Sequence, residues 1–188
     1  MSLDIALAAT GFAVFRIAPK PCFGFNILQF DTLSTDPELD NQTRLRSLIQ
    51  QLKPIISTHN INVVVAEEPA LALYNKNKSF LAGILKLFAA CYGLLGYFES
   101  FQIYARTVQP KVWQSALLGN LEVGDSKKVS LIKANGVLRY LDVQRKLKQK
   151  DHNTADALNI GIYAIQQWHS RKWKVPYESR GTAEPLSI

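Results

Sequence analysis

Cysteine is almost absent from this chain: Cys22 and Cys91 are the only two in 188 residues. No C-x-x-C or Cys/His spacing accompanies them, which excludes a disulfide framework and a zinc site and points to a reducing compartment. A basic stretch followed by an apolar one is missing behind Met1, so no secretory signal is expected. Also missing are internal repeats and the glycine-rich phosphate loops G-x-x-x-x-G-K and G-x-G-x-x-G. The longest apolar run, Leu81 to Phe98, is interrupted by Lys86 and by Gly83, Gly93 and Gly96. Its large residues Leu81, Ile84, Leu85, Phe88, Tyr92 and Leu95 recur at helical spacing and predict a buried helix rather than a membrane span.

Hydrophobic residues make up 47% of the chain and charged residues 20%. These are ordinary values for one globular fold and exclude disordered and fibrous classes. The net charge of +7 is localised: residues 106 to 150 hold ten basic and three acidic side chains, whereas the remaining segments are balanced. A confined positive field is the footprint of a polyanion binder.

Leu3 to Leu7, Gly11 to Ile17 and Gly24 to Phe30 read as three strands joined by short connections, which favours an antiparallel meander. Thr35-Asp36-Pro37-Glu38 predicts a helix start, with Leu45, Leu48, Ile49 and Leu52 on its apolar face. Ile61 to Ala66 is a β-branched run suited to a strand covered on both faces, and Phe101 to Ala105 reads as a fifth strand. Helices are expected over 79–97, 109–118, 126–140 and 153–169. The order predicts an α/β domain over 1–170 built on a mixed five-stranded sheet, three antiparallel strands and then two parallel ones, flanked by helices. Residues 171–188 form a tail.

Acidic residues occur where acids are costly. Asp4 interrupts an apolar strand, Glu67 and Glu68 end the most hydrophobic strand, and Asp156 lies in a helix rich in Ala, Leu and Ile. His152, Asn153, Asp156 and Asn159 fall on one stripe of that helix. Each acid alone is more often structural than catalytic; their conjunction with the basic segment shifts the balance. Sheltered carboxylates either raise their pKa values or bind a cation, and Mg²⁺ prefers oxygen ligands of this kind. Two such ions about 3.5 to 4 Å apart can activate water and stabilise the departing oxygen in phosphodiester hydrolysis.

Asp4 followed six residues on by Thr10-Gly11 resembles the first hairpin of RuvC-like Holliday-junction resolvases. Val63-Val64-Val65-Ala66-Glu67-Glu68-Pro69 resembles their second acidic strand end, and Lys150-Asp151-His152-Asn153-Thr154-Ala155-Asp156-Ala157-Leu158 their closing helix. The resemblance implies an RNase H-like fold and a Mg²⁺-dependent endonuclease using two ions, with Mn²⁺ as a possible substitute. It further implies a homodimer that cuts branched, four-way DNA by paired symmetric nicks. The missing secretory signal and membrane span lead to the expectation of a cytoplasmic or nucleoid-associated protein with no membrane partner. By the same resemblance Asp4, Glu67, Asn153 and Asp156 form the metal site. Asn153 is neutral where the family's four-acid form carries a carboxylate, so His152 or Asp151 could supply the missing ligand or a base. Glu68 is the alternative to Glu67, because a one-residue shift reverses the face of a strand.

Lys111, Lys127 and Lys128 resemble the family's lysines near the scissile phosphate. Arg139, Arg145, Lys146, Lys148 and Lys150 are expected along the same groove. The aromatic wedge that some members carry after the second acid is replaced by Pro69-Ala70-Leu71, leaving Tyr74, with Lys76 and Lys78, as the nearest substitute. The alternatives are an RNase H-like nuclease acting on RNA/DNA hybrids or flaps, and a junction-binding protein whose catalysis has decayed.

Overall fold

The structure, a computed structural model, describes residues 1–18, 24–70, 78–119 and 125–173, with the backbone alone for 78–80. Five strands form one sheet: β1 (Ser2–Asp4), β2 (Ala9–Ile17), β3 (Phe25–Ser34), β4 (Val63–Glu67) and β5 (Tyr104–Val108), in the order β3-β2-β1-β4-β5. The first three pair antiparallel, while β4 runs parallel to β1 and β5 parallel to β4. This is the mixed sheet expected from the sequence. Strand β1 is shorter than expected and ends at Asp4, whereas β3 continues to Ser34.

Helices α1 (Asn41–His59) and α2 (Lys78–Ser100) cover one face, burying Leu52, Ile55, Cys91, Leu94 and Phe98 against Leu3, Phe12, Val14, Val64 and Ala66. Helices α3 (Pro110–Leu118), α4 (Ser126–Tyr140) and α5 (His152–His169) cover the other, where Ala13 and Val65 meet Ala155, Leu158 and Ile160. Strand alternation separates the two sets, so Asp4 and Glu67 project with Ala13 and Val65 toward α5.

The fifth strand starts at Tyr104, three residues later than expected, because Phe101 and Gln102 turn back onto Phe98 and Glu99 at the end of α2. Two helix expectations are also corrected. Helix α1 starts at Asn41, five residues after Asp36, because the Asp40 carboxylate accepts from the backbone N–H groups of Gln42 and Thr43 at 2.9 and 3.0 Å; Asp36 instead closes a turn onto Glu38 N at 2.9 Å. A side-chain acceptor in place of the missing intrahelical ones fixes the first turn. In α2 the buried stripe is Ala90, Cys91, Leu94, Leu95 and Phe98, while Leu81, Leu85 and Tyr92 are 49, 57 and 49% exposed. A helix that is apolar nearly all round gives its periodicity no unique inward face. Its Leu81–Ser100 portion is long and apolar enough to cross a membrane by length and composition. Beyond α5, Trp173 stands edge-on to Tyr163 at 5.7 Å, with the Arg106 guanidinium 3.8 Å above its ring.

Candidate active site

The close approach of α5 to the sheet builds the site. A β-carbon on Gly11 would lie 2.0 Å from the Asn153 carbonyl oxygen, and one on Gly161 would lie 2.1 Å from the Phe15 ring. At Gly11, where the obstacle is backbone, only glycine lets helix and sheet meet this closely, whereas at Gly161 the Phe15 ring would have to shift. Ser2 adds a tie by donating its hydroxyl to the Ala157 carbonyl at 2.6 Å. Asp156 is thereby carried over the end of β1, where Asp4 sits.

Asp4 and Glu67 are set by the sheet. The parallel register pairs Ser2 with Val65 and Leu3 with Ala66, so its next step puts Asp4 beside Glu67 on one face. Glu68 follows on the opposite side, and its carboxylate accepts from the Tyr92 hydroxyl of α2 at 3.5 Å. The pleat therefore sets Glu67, and not Glu68, beside Asp4.

Electrostatics show the three acids share one field. Burial holds the Asp4 carboxyl well above the usual carboxylate range, and the charges of Glu67 and Asp156 push it further, while Lys127 works against them. Burial pushes Glu67 up to about 7 against the counteracting hydrogen bond from Trp113, with a further rise from Asp156. Asp156 is raised by burial and moderated by the Ser130 hydroxyl, His152 and Lys127. Uncompensated negative charge in a sheltered place is the condition a cation relieves.

Two second partners were not anticipated from the sequence. Trp113 Nε1, on the buried face of α3, donates to Glu67 Oε2 at 2.6 Å. The Ser130 hydroxyl of α4 donates to Asp156 Oδ1. Both carried a signal: a buried indole N–H needs an acceptor, and Ser130 lies on the i, i+4, i+8 stripe with Ala134 and Leu138, the three buried residues of α4.

The remaining candidates fall into distinct groups. Lys127 lies within electrostatic reach of Asp4 and Asp156, and His152 within reach of Asp156. Asn153 projects its amide nitrogen onto the Ala9 carbonyl, tying α5 to β2. Asp151 accepts from the backbone N–H of Lys148 at 2.8 Å and closes the turn that precedes α5. Lys111 and Lys128 are exposed at the starts of α3 and α4. Arg145 departs from the expected groove lining: its guanidinium donates to Asp31 at 2.9 Å and to the Phe30 carbonyl at 3.0 Å, 5.0 Å from the Phe30 ring centroid, so it fastens the segment after α4 to β3. Tyr74 and Lys76 lie outside the described residues, as does the side chain of Lys78.

Three oxygen donors of this charge and burial match the ligand preference of a hard divalent cation. Among the described residues no group of three or more His, Cys, Asp or Glu side chains is already arranged to hold a metal ion. The three carboxylates interact electrostatically without forming a ready-made cation site.

No family model matches the chain. No curated protein matches it in sequence. Solved structures do match in three dimensions. Thermus thermophilus RuvC superposes with a TM-score of 0.59 at 17% identity, covering 90% of this chain and 93% of RuvC. The same organism's RuvC in complex with Holliday junction substrate gives 0.61 at 15% identity, covering 90% and 92%. Fowlpox virus resolvase, in complex with substrate Holliday junction DNA, gives 0.52 at 15% identity, covering 88% and 97%. The chain therefore has the RNase H-like fold of the RuvC-type Holliday junction resolvases.

Proposed function

We propose that this protein is a metal-dependent endonuclease that resolves four-way DNA junctions. The observation that carries the reading is the placement of Asp4 and Glu67 side by side on the sheet face that α5, the helix of Asp156, covers, in a fold also found in resolvases captured on junction DNA. Asp4, Glu67 and Asp156 would hold Mg²⁺, or Mn²⁺ in its place; two ions bound there would activate water and neutralise the departing oxygen. The protein's own contribution is positional. Trp113 fixes one Glu67 oxygen, and Lys127 draws the phosphate backbone toward carboxylates that would otherwise repel it. Lys111 and Lys128 extend this contact, and phosphate contacts of this kind orient a duplex without reading its sequence. His152, one turn before Asp156, would be the candidate to complete the ligand set or to act as a base.

A homodimer suits a four-way substrate, since two symmetric sites can cut opposed strands. The exposed Leu81, Leu85 and Tyr92 of α2 supply an apolar face for such pairing. Sedimentation should show a dimer that Leu85→Glu converts to monomer.

Synthetic four-way junctions incubated with the protein and Mg²⁺ should yield paired symmetric nicks, with Asp4→Asn abolishing them. Cutting that survives Asp4→Asn overturns the site, and a preference for RNA/DNA hybrids overturns the substrate. The bonding of Asn153 to Ala9 favours a second reading, junction binding without cleavage. It predicts salt-dependent binding and no nicks with either ion.

A further inference from the structure

We propose that Ser130 is a positioning residue for Asp156, and that Asn159 sets the direction in which the Ser130 hydroxyl donates. The inference rests on the metal-site reading above and extends it to two residues outside the ligand set. Ser130 is 1% exposed and Asn159 fully buried, so neither exchanges partners with bulk water. Asn159 Nδ2 donates to the Ser130 hydroxyl oxygen at 2.8 Å and to the Ser130 carbonyl at 2.9 Å. A hydroxyl has one proton to give. With its oxygen already receiving an N–H, the Ser130 proton is directed to Asp156 Oδ1.

The consequence is a carboxylate held by one oxygen. Asp156 stands three residues before Asn159 on α5, so both reach the same Ser130 from one helix face. One turn earlier on α4, Lys127 faces the same acids. Asp156 Oδ1 is occupied by a neutral donor, which leaves Oδ2 and the remaining lone pair of Oδ1 for a cation. Outer partners of this type orient a ligating carboxylate, and losing one typically weakens metal affinity by about 10- to 100-fold.

The test is Mn²⁺ binding by calorimetry on the DNA-free protein, compared among wild type, Ser130→Ala and Ser130→Thr, together with metal-free crystal structures of all three. Ser130→Ala should fold normally, since alanine favours a helix interior, and bind Mn²⁺ about tenfold more weakly, with Ser130→Thr restoring affinity. Wild-type affinity in Ser130→Ala overturns the proposal. So does a threonine variant as weak as the alanine one whose hydroxyl is seen on Asp156. If the wild-type protein takes up no Mn²⁺, the metal reading fails, and the metal-free structures decide the positioning role alone. An Asp156 carboxylate that leaves its wild-type rotamer in Ser130→Ala sustains it, and one that keeps the rotamer overturns it.

Discussion

Trp113 and Glu67, 46 residues apart in sequence, are joined by a 2.6 Å hydrogen bond between the indole Nε1 and carboxylate Oε2. The bond opposes the effect of burial on Glu67 and keeps part of its charge available near neutrality. Trp113→Phe retains most of the buried ring but removes the donor. A hydrogen bond to a charged group contributes roughly 1.5 to 3 kcal/mol, so urea denaturation at pH 8 should show a loss of about 2 kcal/mol. The loss should be smaller when Glu67→Gln is already present. The acidic limb of any Mg²⁺-dependent cleavage should move to higher pH, since Glu67 then holds its proton longer. An unchanged limb would show that the indole serves packing alone.

Stability of the metal-free protein should fall as pH rises through neutrality. Glu67 is pushed from the ordinary 4.5 to about 7 by burial, and Asp4 shifts the same way. Between these values the folded chain binds more protons than the unfolded one, so this contribution is complete below about pH 4.5 and lost as pH passes 7. For Glu67 it amounts to at most about 3 kcal/mol. Asp31 and Asp40 are held below their ordinary range and act only in stronger acid. Denaturation midpoints in chelator from pH 5 to 8 should therefore decline, with a shallower slope in Glu67→Gln. Equal slopes in the two proteins would refute the assignment.

Gly11→Ala probes how the site is assembled. Its new methyl would meet backbone atoms of Asn153 and Thr154 at 2.0 to 2.7 Å, which no side-chain rotation can relieve. Helix α5 must then lift from β2, and the change should cost about 3 kcal/mol, the upper range for overpacking. Since α5 carries Asp156, affinity for Mn²⁺ should fall with stability. Tight ion binding in a destabilised variant would show that α5 and the acids are not coupled in this way.

Much of this arrangement was legible in the residues themselves. Asp4 stood out as an acid interrupting the apolar run from Leu3 to Leu7, and the bounds expected for α4, 126 to 140, are those observed. The start of α1 was misread because Asp36-Pro37 and Asp40 are both competent start signals, and only the contacts of Asp40 show which one caps. The α2 stripe was misread because leucines and aromatics surround that helix, so its inward face depends on the sheet it meets. Trp113 and Ser130 escaped notice for a related reason: their roles depend on Glu67 and Asp156, each distant in sequence and brought near only by the crossing of α3 and α4 over the sheet.

The basic segment separates into residues that bind and residues that hold the fold. Lys127 is exposed and within reach of the acidic centre, while Arg145 is committed to Asp31 and the Phe30 carbonyl. Lys127→Ala should lower junction affinity and reduce the slope of log affinity against log salt by about one, as expected for one lost phosphate contact. Its thermal midpoint should stay near that of wild type, because an exposed lysine contributes little to folding. Arg145→Ala should do the reverse: it loses an ion pair, a backbone hydrogen bond and a ring contact, which lowers the midpoint while the salt slope is kept. Filter binding from 50 to 300 mM salt, beside thermal denaturation, resolves the two. If Arg145→Ala changes the slope and Lys127→Ala does not, the positive field of this segment lies over β3 and not over the carboxylates.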